Sequence, residues 1–408
     1  MRERGGAAPW RERLASIYEL GDVKNPKRNL PMEGLRGFAV LLVFFVHYHA
    51  LFQVWLGRDT FSFAFSNFLG TIGLAGVDLF FVLSGYLIYG LIFKKPGRYA
   101  SFIKRRVQRI YPTFLFVFAV YLLLSALFPS ASRIPSNPAA ALLYIAQNVL
   151  LLPGLFKIEP IITVAWSLSY EFFYYLLIPL LVAALSMTRW PRGWRALFFS
   201  ALAVCYTVYC LVGSYGRPHL LMFISGILLF EAAESYRLGR RLTQRFDYLV
   251  LGFLVLTFPL IYALTERPEL FPYLPNAHGL SEAYRIVVLF LSFGLFTFAC
   301  FDSRGLLKAI FSWTPLRWLG NMSYSYYLIH GLTLKAISLL VLRPALSPTL
   351  ETVAFWLGYP VFFLLTLVTS TLLFVYVEKR FSLLTPTQQP AQSKAPAPDE
   401  AAPATIPS

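Results

Sequence analysis

Ten windows of about 18 or more predominantly apolar residues recur along this chain, near 33–55, 69–93, 110–128, 164–186, 196–213, 219–235, 247–265, 284–302, 318–342 and 351–377. Each is long enough to cross a bilayer as a helix. Within hydrocarbon every backbone N–H and C=O has to be satisfied by the protein itself, which leaves only helices or a closed barrel. Runs this long and this continuously apolar select the helix. The expected fold class is an all-α polytopic membrane protein with about ten transmembrane helices. Composition agrees, with 57% hydrophobic, 17% aromatic and only 14% charged residues, far from the balance of a soluble domain.

A net charge of +16 would suit nucleic acid, so the placement of that charge decides its meaning. With the N-terminus inside, the inner segments 1–32, 94–109, 187–195, 236–246, 303–317 and the C-terminal tail hold 27 of the 36 Lys and Arg residues. That is the positive-inside pattern, with both termini cytoplasmic. The excess is topology, and no nucleic-acid partner is expected. The first 30 residues are polar and Arg-rich and lead into an apolar run without a small-residue cleavage site. They read as a retained cytoplasmic segment, 1–30, rather than a signal peptide. The membrane domain then covers 31–384. Residues 385–408, rich in Pro, Ala and Gln, read as a disordered cytoplasmic tail.

Residues 140–152 are too short to cross and follow Pro138, so a re-entrant or interfacial helix is expected there, in an outer loop. Cys205, Cys210 and Cys300 lie in apolar segments without pairing or metal-ligand spacing. They read as core filling, and no metal site is expected.

Against this apolar background the ionisable residues stand out, because a charge inside a span costs a few kcal/mol and commonly marks a site. The first span carries Arg36 and, eleven positions later, His47. About three turns separate them, so they share a face roughly 16 Å apart along the axis. Snorkelling is the competing account of Arg36, and a satisfied core histidine that of His47. His49 points elsewhere and is left as a core residue.

The second span contains GVDLFFVLSGYLI, residues 76–88, with Asp78 expected at a depth like that of His47. A carboxylate there can fix an imidazole tautomer and raise its basicity; a helix-pairing hydrogen bond is the alternative. Ser84 and Gly85 read as close-packing residues. In KKPGRYASFIKRRVQRIYP, residues 94–112, seven Lys and Arg residues include Lys104, Arg105, Arg106 and Arg109. Anionic lipid headgroups explain part of this density. Clustered guanidiniums also fit a multiply phosphorylated ligand, each forking two donors onto phosphate oxygens.

The fourth span opens TVAWSLSYEFFYYLLIP, residues 163–179. Ser167, Glu171, Tyr174 and Tyr175 share a face there, with Trp166 beside them. Such a wall suits hydrogen bonding to a sugar. An aromatic belt accounts for Trp166 and the tyrosines but not for Glu171. Later, Arg217 and His219 open the sixth span, and LGNMSYSYYLIHG, residues 319–331, brings Ser323, Tyr326 and His330 near one face. Glu378, in VEKRF, is expected in an ion pair.

Taken in this order, these segments resemble the family-3 membrane acyltransferases, which O-acylate bacterial cell-surface glycans and some antibiotics. The resemblance covers about residues 31–384. Phe172 and Phe173 stand where the family often has an acidic residue or glutamine, and Lys379-Arg380 where it commonly has Arg-Pro. The resemblance implies an acyl-coenzyme A donor, acetyl-CoA above all, on the cytoplasmic side, and a hydroxyl acceptor on the outer side of a bacterial inner membrane. It makes Arg36 and His47 essential and gives Arg105, Arg106 and Arg109 to the donor. Some members carry a hydrolase-like domain after the membrane part. The 24 residues after 384 leave no room for one, so the acceptor is expected to reach the bundle directly.

Combining the two lines, Arg36 and Lys104, Arg105, Arg106 and Arg109 would hold the donor, while His47, Asp78 and Glu171 are the catalytic candidates. Trp166, Ser167, Tyr174, Tyr175, Tyr326 and His330 would line the acceptor. The acceptor itself, a polysaccharide or lipid-linked glycan or a secreted small molecule, stays open, as does the oligomeric state. A lipid-linked glycan transporter would use similar intramembrane charges, but the internal repeat common in transporters is not seen.

Overall fold

The computed structural model describes residues 9–23, 25, 28–94, 98–213, 217–236, 244–266, 278–302, 305–341 and 348–383. The expected tail, 385–408, lies outside them. Among the described residues there is no strand, and fifteen α-helices follow one another. They are α1 (Pro9–Tyr18), α2 (Leu30–Phe52), α3 (Phe61–Gly73), α4 (Ala75–Lys94), α5 (Tyr99–Leu127), α6 (Pro138–Val149), α7 (Ala165–Ala184) and α8 (Arg192–Gly213). After them come α9 (Leu221–Tyr236), α10 (Gln244–Glu266), α11 (His278–Asp302), α12 (Leu306–Phe311), α13 (Thr314–Asn321), α14 (Ser323–Val341) and α15 (Pro348–Leu373). The last helix widens into a π-helical stretch, Phe374–Ser382.

Among the described residues, eight segments are long and apolar enough to cross a membrane: Leu30–Phe52, Phe61–Lys94, Tyr99–Leu127, Ala165–Ala184, Arg192–Cys210, Arg245–Glu266, Tyr284–Phe301 and Thr352–Ser382. This is an integral membrane protein. The two remaining expected spans are also helical, but neither reaches that standard. At 16 residues, α9 is short of the roughly 20 needed, because Pro218 starts the segment with a turn of 3-10 helix. The 318–342 window breaks at Met322 into α13 and α14, and α14 carries serines, threonine, lysine and His330.

Local chemistry explains the element ends. Asn29 accepts a hydrogen bond from Met32 N ahead of Pro31, and Asn137 caps Ala139 N and Ala140 N ahead of Pro138. The second cap opens the short helix expected near 140–152, now α6, which buries only Asn148. The basic stretch at 99–109, read from sequence as a connecting loop, is instead the first three turns of α5. No proline or glycine interrupts it before Pro112, so the helix starts at Tyr99. The sequence also passed over α3, whose serines and aromatics give a weak apolar signal. Cys210 and Cys300 are buried as expected, whereas Cys205 is exposed on α8.

Helix α4 is the central rod, buried on most sides and packed against α2, α3, α7, α9 and α11. Lipid supplies no hydrophobic drive between helices, so close backbone approach has to supply the contact. Small residues permit it. A Cβ on Gly320 of α13 would overlap the carbonyl of Glu33 in α2, and one on Gly226 of α9 would overlap the carbonyl of Val82 in α4. Gly85 lies equally close to the backbone of Phe223 in α9, which is the packing role expected of it.

The N-terminal segment is fastened across one end of this bundle. Glu19 accepts from Arg317 and Trp318 Nε1, Arg28 bridges Glu19 and Glu33, and Tyr18 stacks on Trp318 at 5.6 Å.

Alanine at Gly320 or Gly226 is expected to cost about 1–3 kcal/mol through forced overpacking. Both variants should unfold at clearly lower temperature in detergent. Gly252→Ala, on an exposed helix face with nothing within 4 Å, should match or slightly exceed the parent.

Candidate functional site

Five helices leave a cavity of about 140 Å³ between them. Arg36 enters it from α2, Val77, Phe80 and Ser84 from α4, Arg106 and Arg109 from α5, Ser167, Glu171 and Tyr175 from α7, and Ser323, Tyr324 and Tyr327 from α14. Three guanidiniums therefore face one enclosed space. On α5 only positions separated by three or four residues share a face. Arg106 and Arg109, one turn apart, both face the cavity, whereas Lys104 and Arg105 are exposed. The donor role expected for those two residues has no support from their position.

Each arginine is held differently. Arg36 Nε donates to Ser323 Oγ at 3.2 Å. Arg109 Nη1 donates to Glu378 Oε1 at 2.6 Å, and the other oxygen of this fully buried carboxylate accepts from Ser325 N at 3.0 Å and Ser325 Oγ at 2.5 Å. This is the ion pair expected of Glu378, but its partner comes from 269 residues away. Arg106 lies over the rings of Phe102 and Tyr175 at 5.3 and 5.2 Å, and its buried Nε has no hydrogen-bond partner among the described residues. A guanidinium supported by aromatic faces keeps its donors for another molecule.

Glu171 stands in the same cavity. Its Oε1 accepts from Tyr175 OH at 2.5 Å and Ser84 Oγ at 3.1 Å. The sequence placed Glu171 on a separate acceptor wall, but the fold puts it among the arginines. Ser84, read as a packing residue, contributes a hydroxyl to the cavity. Tyr174 leaves the group altogether: it stacks on Phe223 at 3.9 Å and donates to Leu220 O. Positions 171 and 175 align along α7, whereas 174 is turned toward α9. Trp166 is not in the cavity either. It packs against Tyr170 and, at 5.7 Å, against His219.

Ser167 and Tyr327 also line the cavity, and their hydroxyls meet at 2.6 Å. Behind Tyr327 lies His330, with ring centroids 5.9 Å apart. His330 in turn meets His47 at 4.7 Å between centroids. His47 is half-buried and His330 fully buried. Tyr326 faces away, its ring in the second core cluster and its hydroxyl 3.0 Å from Thr366 Oγ1.

The expected pairing of Asp78 with His47 does not occur. Asp78 Oδ1 lies 2.6 Å from His219 Nδ1, with the carboxylate fully buried and its Oδ2 without a hydrogen-bond partner among the described residues. The face expected of Asp78 was wrong, because α4 presents it to the 3-10 turn ahead of α9 rather than to His47. His49 bonds Ser66 Oγ, the core role assigned to it. Tyr324 was passed over by the sequence, and His219 and Ser323 were noted there without a role, because all three carry only weak signals. Short motifs around a polar residue in an apolar run were the available clue.

Comparisons with known proteins give the family. The family model described as an acyltransferase domain, family 3, matches residues 30–375. The O-acetyltransferase OatA of Staphylococcus aureus is 27% identical over 332 residues, 74% of this chain and 50% of its own length. The exopolysaccharide production protein ExoZ of Rhizobium meliloti is 28% identical over 171 residues, 40% of this chain and 51% of its own. The chain thus spans about half the length of the curated relatives it matches. No solved structure matches. With the family model spanning most of the chain and all five cavity helices within it, this chain belongs to the family-3 membrane acyltransferases.

Proposed function

We propose that this protein is a membrane O-acetyltransferase that takes an acetyl group from acetyl-coenzyme A on the cytoplasmic side and passes it to a hydroxyl of an extracytoplasmic sugar. The acceptor in this reading is a cell-surface polysaccharide or lipid-linked glycan, and the membrane is a bacterial inner membrane. The observation that carries it is the cavity in which Arg36, Arg106 and Arg109 converge, with Arg36 about three turns of α2 from His47. Three guanidiniums suit the phosphates of coenzyme A, and a thin pantetheine arm would span the roughly three helical turns from Arg36 to His47. The O-acetyltransferase OatA supports the acetyl group, and ExoZ, a protein of exopolysaccharide production, supports the polysaccharide.

His47 takes the proton of the acceptor hydroxyl as that oxygen attacks the thioester carbonyl. The carbon–sulfur bond breaks, coenzyme A leaves as thiolate, and the proton on His47 returns to the sulfur. General-base help of this kind is worth about 10²–10⁴ in rate. Glu171, between Ser84 and Tyr175, offsets the arginine charge and orients the donor arm.

Mass spectrometry of surface glycans tests the reading in cells with the gene deleted, restored, and restored as His47→Ala. An ester-linked acetyl group should disappear on deletion and return only with the intact histidine. Identical glycans in all three strains would sink the acceptor assignment. With purified protein, Arg106→Gln should raise KM for acetyl-CoA by about tenfold or more with kcat little changed, since it removes binding common to ground and transition states. His47→Ala should lower kcat by at least about a hundredfold.

Glu378→Gln removes the charge that holds Arg109, and breaking such a buried pair from one side costs about 3–5 kcal/mol. Lower thermal stability and a raised KM are expected together. In a double-mutant cycle, Arg109→Gln should add much less to Glu378→Gln than to the parent.

A further inference from the structure

His330 presents a nitrogen that the rest of the fold has set aside. Its Nδ1 lies 2.9 Å from the backbone carbonyl of Tyr326. A carbonyl oxygen only accepts, so Nδ1 carries the hydrogen and donates it. In the neutral ring the lone pair then resides on Nε2. That atom is fully buried and has no hydrogen-bond partner among the described residues. The ring cannot easily turn to hide it, since the Tyr326 ring stacks on it at 5.3 Å with 9° between planes and Tyr327 packs at 5.9 Å. A buried acceptor left open costs free energy, so a fixed, open one calls for a partner.

The neighbouring donor is His47, with ring centroids 4.7 Å away and planes at 61°. We propose that His330 is the positioning residue for His47: its Nε2 lone pair accepts the N–H of His47, fixing that ring's tautomer and steadying the positive charge that His47 takes up from the acceptor hydroxyl. This rests on the reading of His47 as the base. It assigns to a second imidazole the part that Asp78, committed to His219, does not play. The nitrogen-to-nitrogen bond closes by rotation of the half-buried His47 ring, as catalytic hydrogen bonds tighten once substrate is bound. His47 then shows its other nitrogen to the acceptor. A neutral partner in place of a carboxylate spares the site a second buried negative charge in hydrocarbon.

Two substitutions and one spectrum test this. In His330→Asn the side-chain amide overlies Cγ and Nδ1, so the bond to Tyr326 survives while nothing remains at the Nε2 position. In His330→Gln the longer amide reaches that position with an acceptor oxygen. Turnover of acetyl-CoA, read as thiol release by the full chain in nanodiscs with cellotetraose or water as acceptor, should fall at least about thirtyfold in kcat for His330→Asn, with KM for acetyl-CoA within about threefold. His330→Gln should stay within about fivefold of the parent kcat.

Parent-like kcat in His330→Asn, or equal losses in the two variants with equal losses of thermal stability, would overturn the inference. If His47→Ala abolishes turnover while His330→Asn does not, only this inference fails. If His47→Ala retains turnover, the base assignment fails first and takes this inference with it. Ring ¹⁵N shifts of the parent protein give a readout independent of any variant's folding. With 5 histidines in the chain, His330 is expected as the Nδ1–H tautomer at neutral pH, and the Nε2–H tautomer refutes the proposal.

Discussion

The bond between Arg109 and Glu378 is the interaction on which the cavity depends. Arg36, Arg106 and Arg109 would repel one another in this cavity, and two carboxylates, Glu378 and Glu171, make their convergence tolerable. Glu378 does so while also accepting both donors of Ser325, so one fully buried carboxylate ties α5, the start of α14 and the π-helical stretch together. The π-helical turn from Phe374 to Ser382 carries Glu378 at this point. Such widened turns are common at functional sites, where a side chain has to be re-aimed.

The bundle around this bond is held by steric fit rather than by greasy attraction. Where α2 meets α13 and α4 meets α9, glycines let one backbone rest on another. These two contacts bracket the site. The first fixes Arg36 relative to Ser323, and the second fixes Ser84 beside α7 and Asp78 beside His219. A membrane enzyme has little else with which to hold polar groups at set distances. Polar side chains in turn partner across helices, as Ser167 does with Tyr327 and Tyr89 with Glu231.

Arg36, His47, Arg106, Arg109 and Glu171 could be picked out from the sequence because each is expensive in an apolar run. Their neighbours could not. Helical spacing within one element paired Arg106 with Arg109, whereas Lys104 and Arg105 stayed in the group because the stretch was read as a loop. Judgements that crossed helices fared worse. Asp78 was matched to His47 by depth alone, and Tyr174 to Glu171 by a face too broad to separate the two sides of α7. Rotation of each helix about its own axis was the missing quantity. Glycine contacts and the backbone register set that rotation, and neither can be read in the pattern of one segment.

By itself, then, the amino-acid sequence determined the helical class, the membrane environment and most of the ionisable residues worth explaining, because hydrocarbon penalises unsatisfied backbone and stray charge at any position. Only the tertiary structure decided which of them meet. It turned Asp78 to His219, gave His47 a second imidazole, drew Glu171 in among three arginines and sent Arg109 to a carboxylate 269 residues further on. Partners across helices are chosen by rotation and close approach over a few ångströms, a constraint that acts between segments and leaves no periodic trace within any one of them.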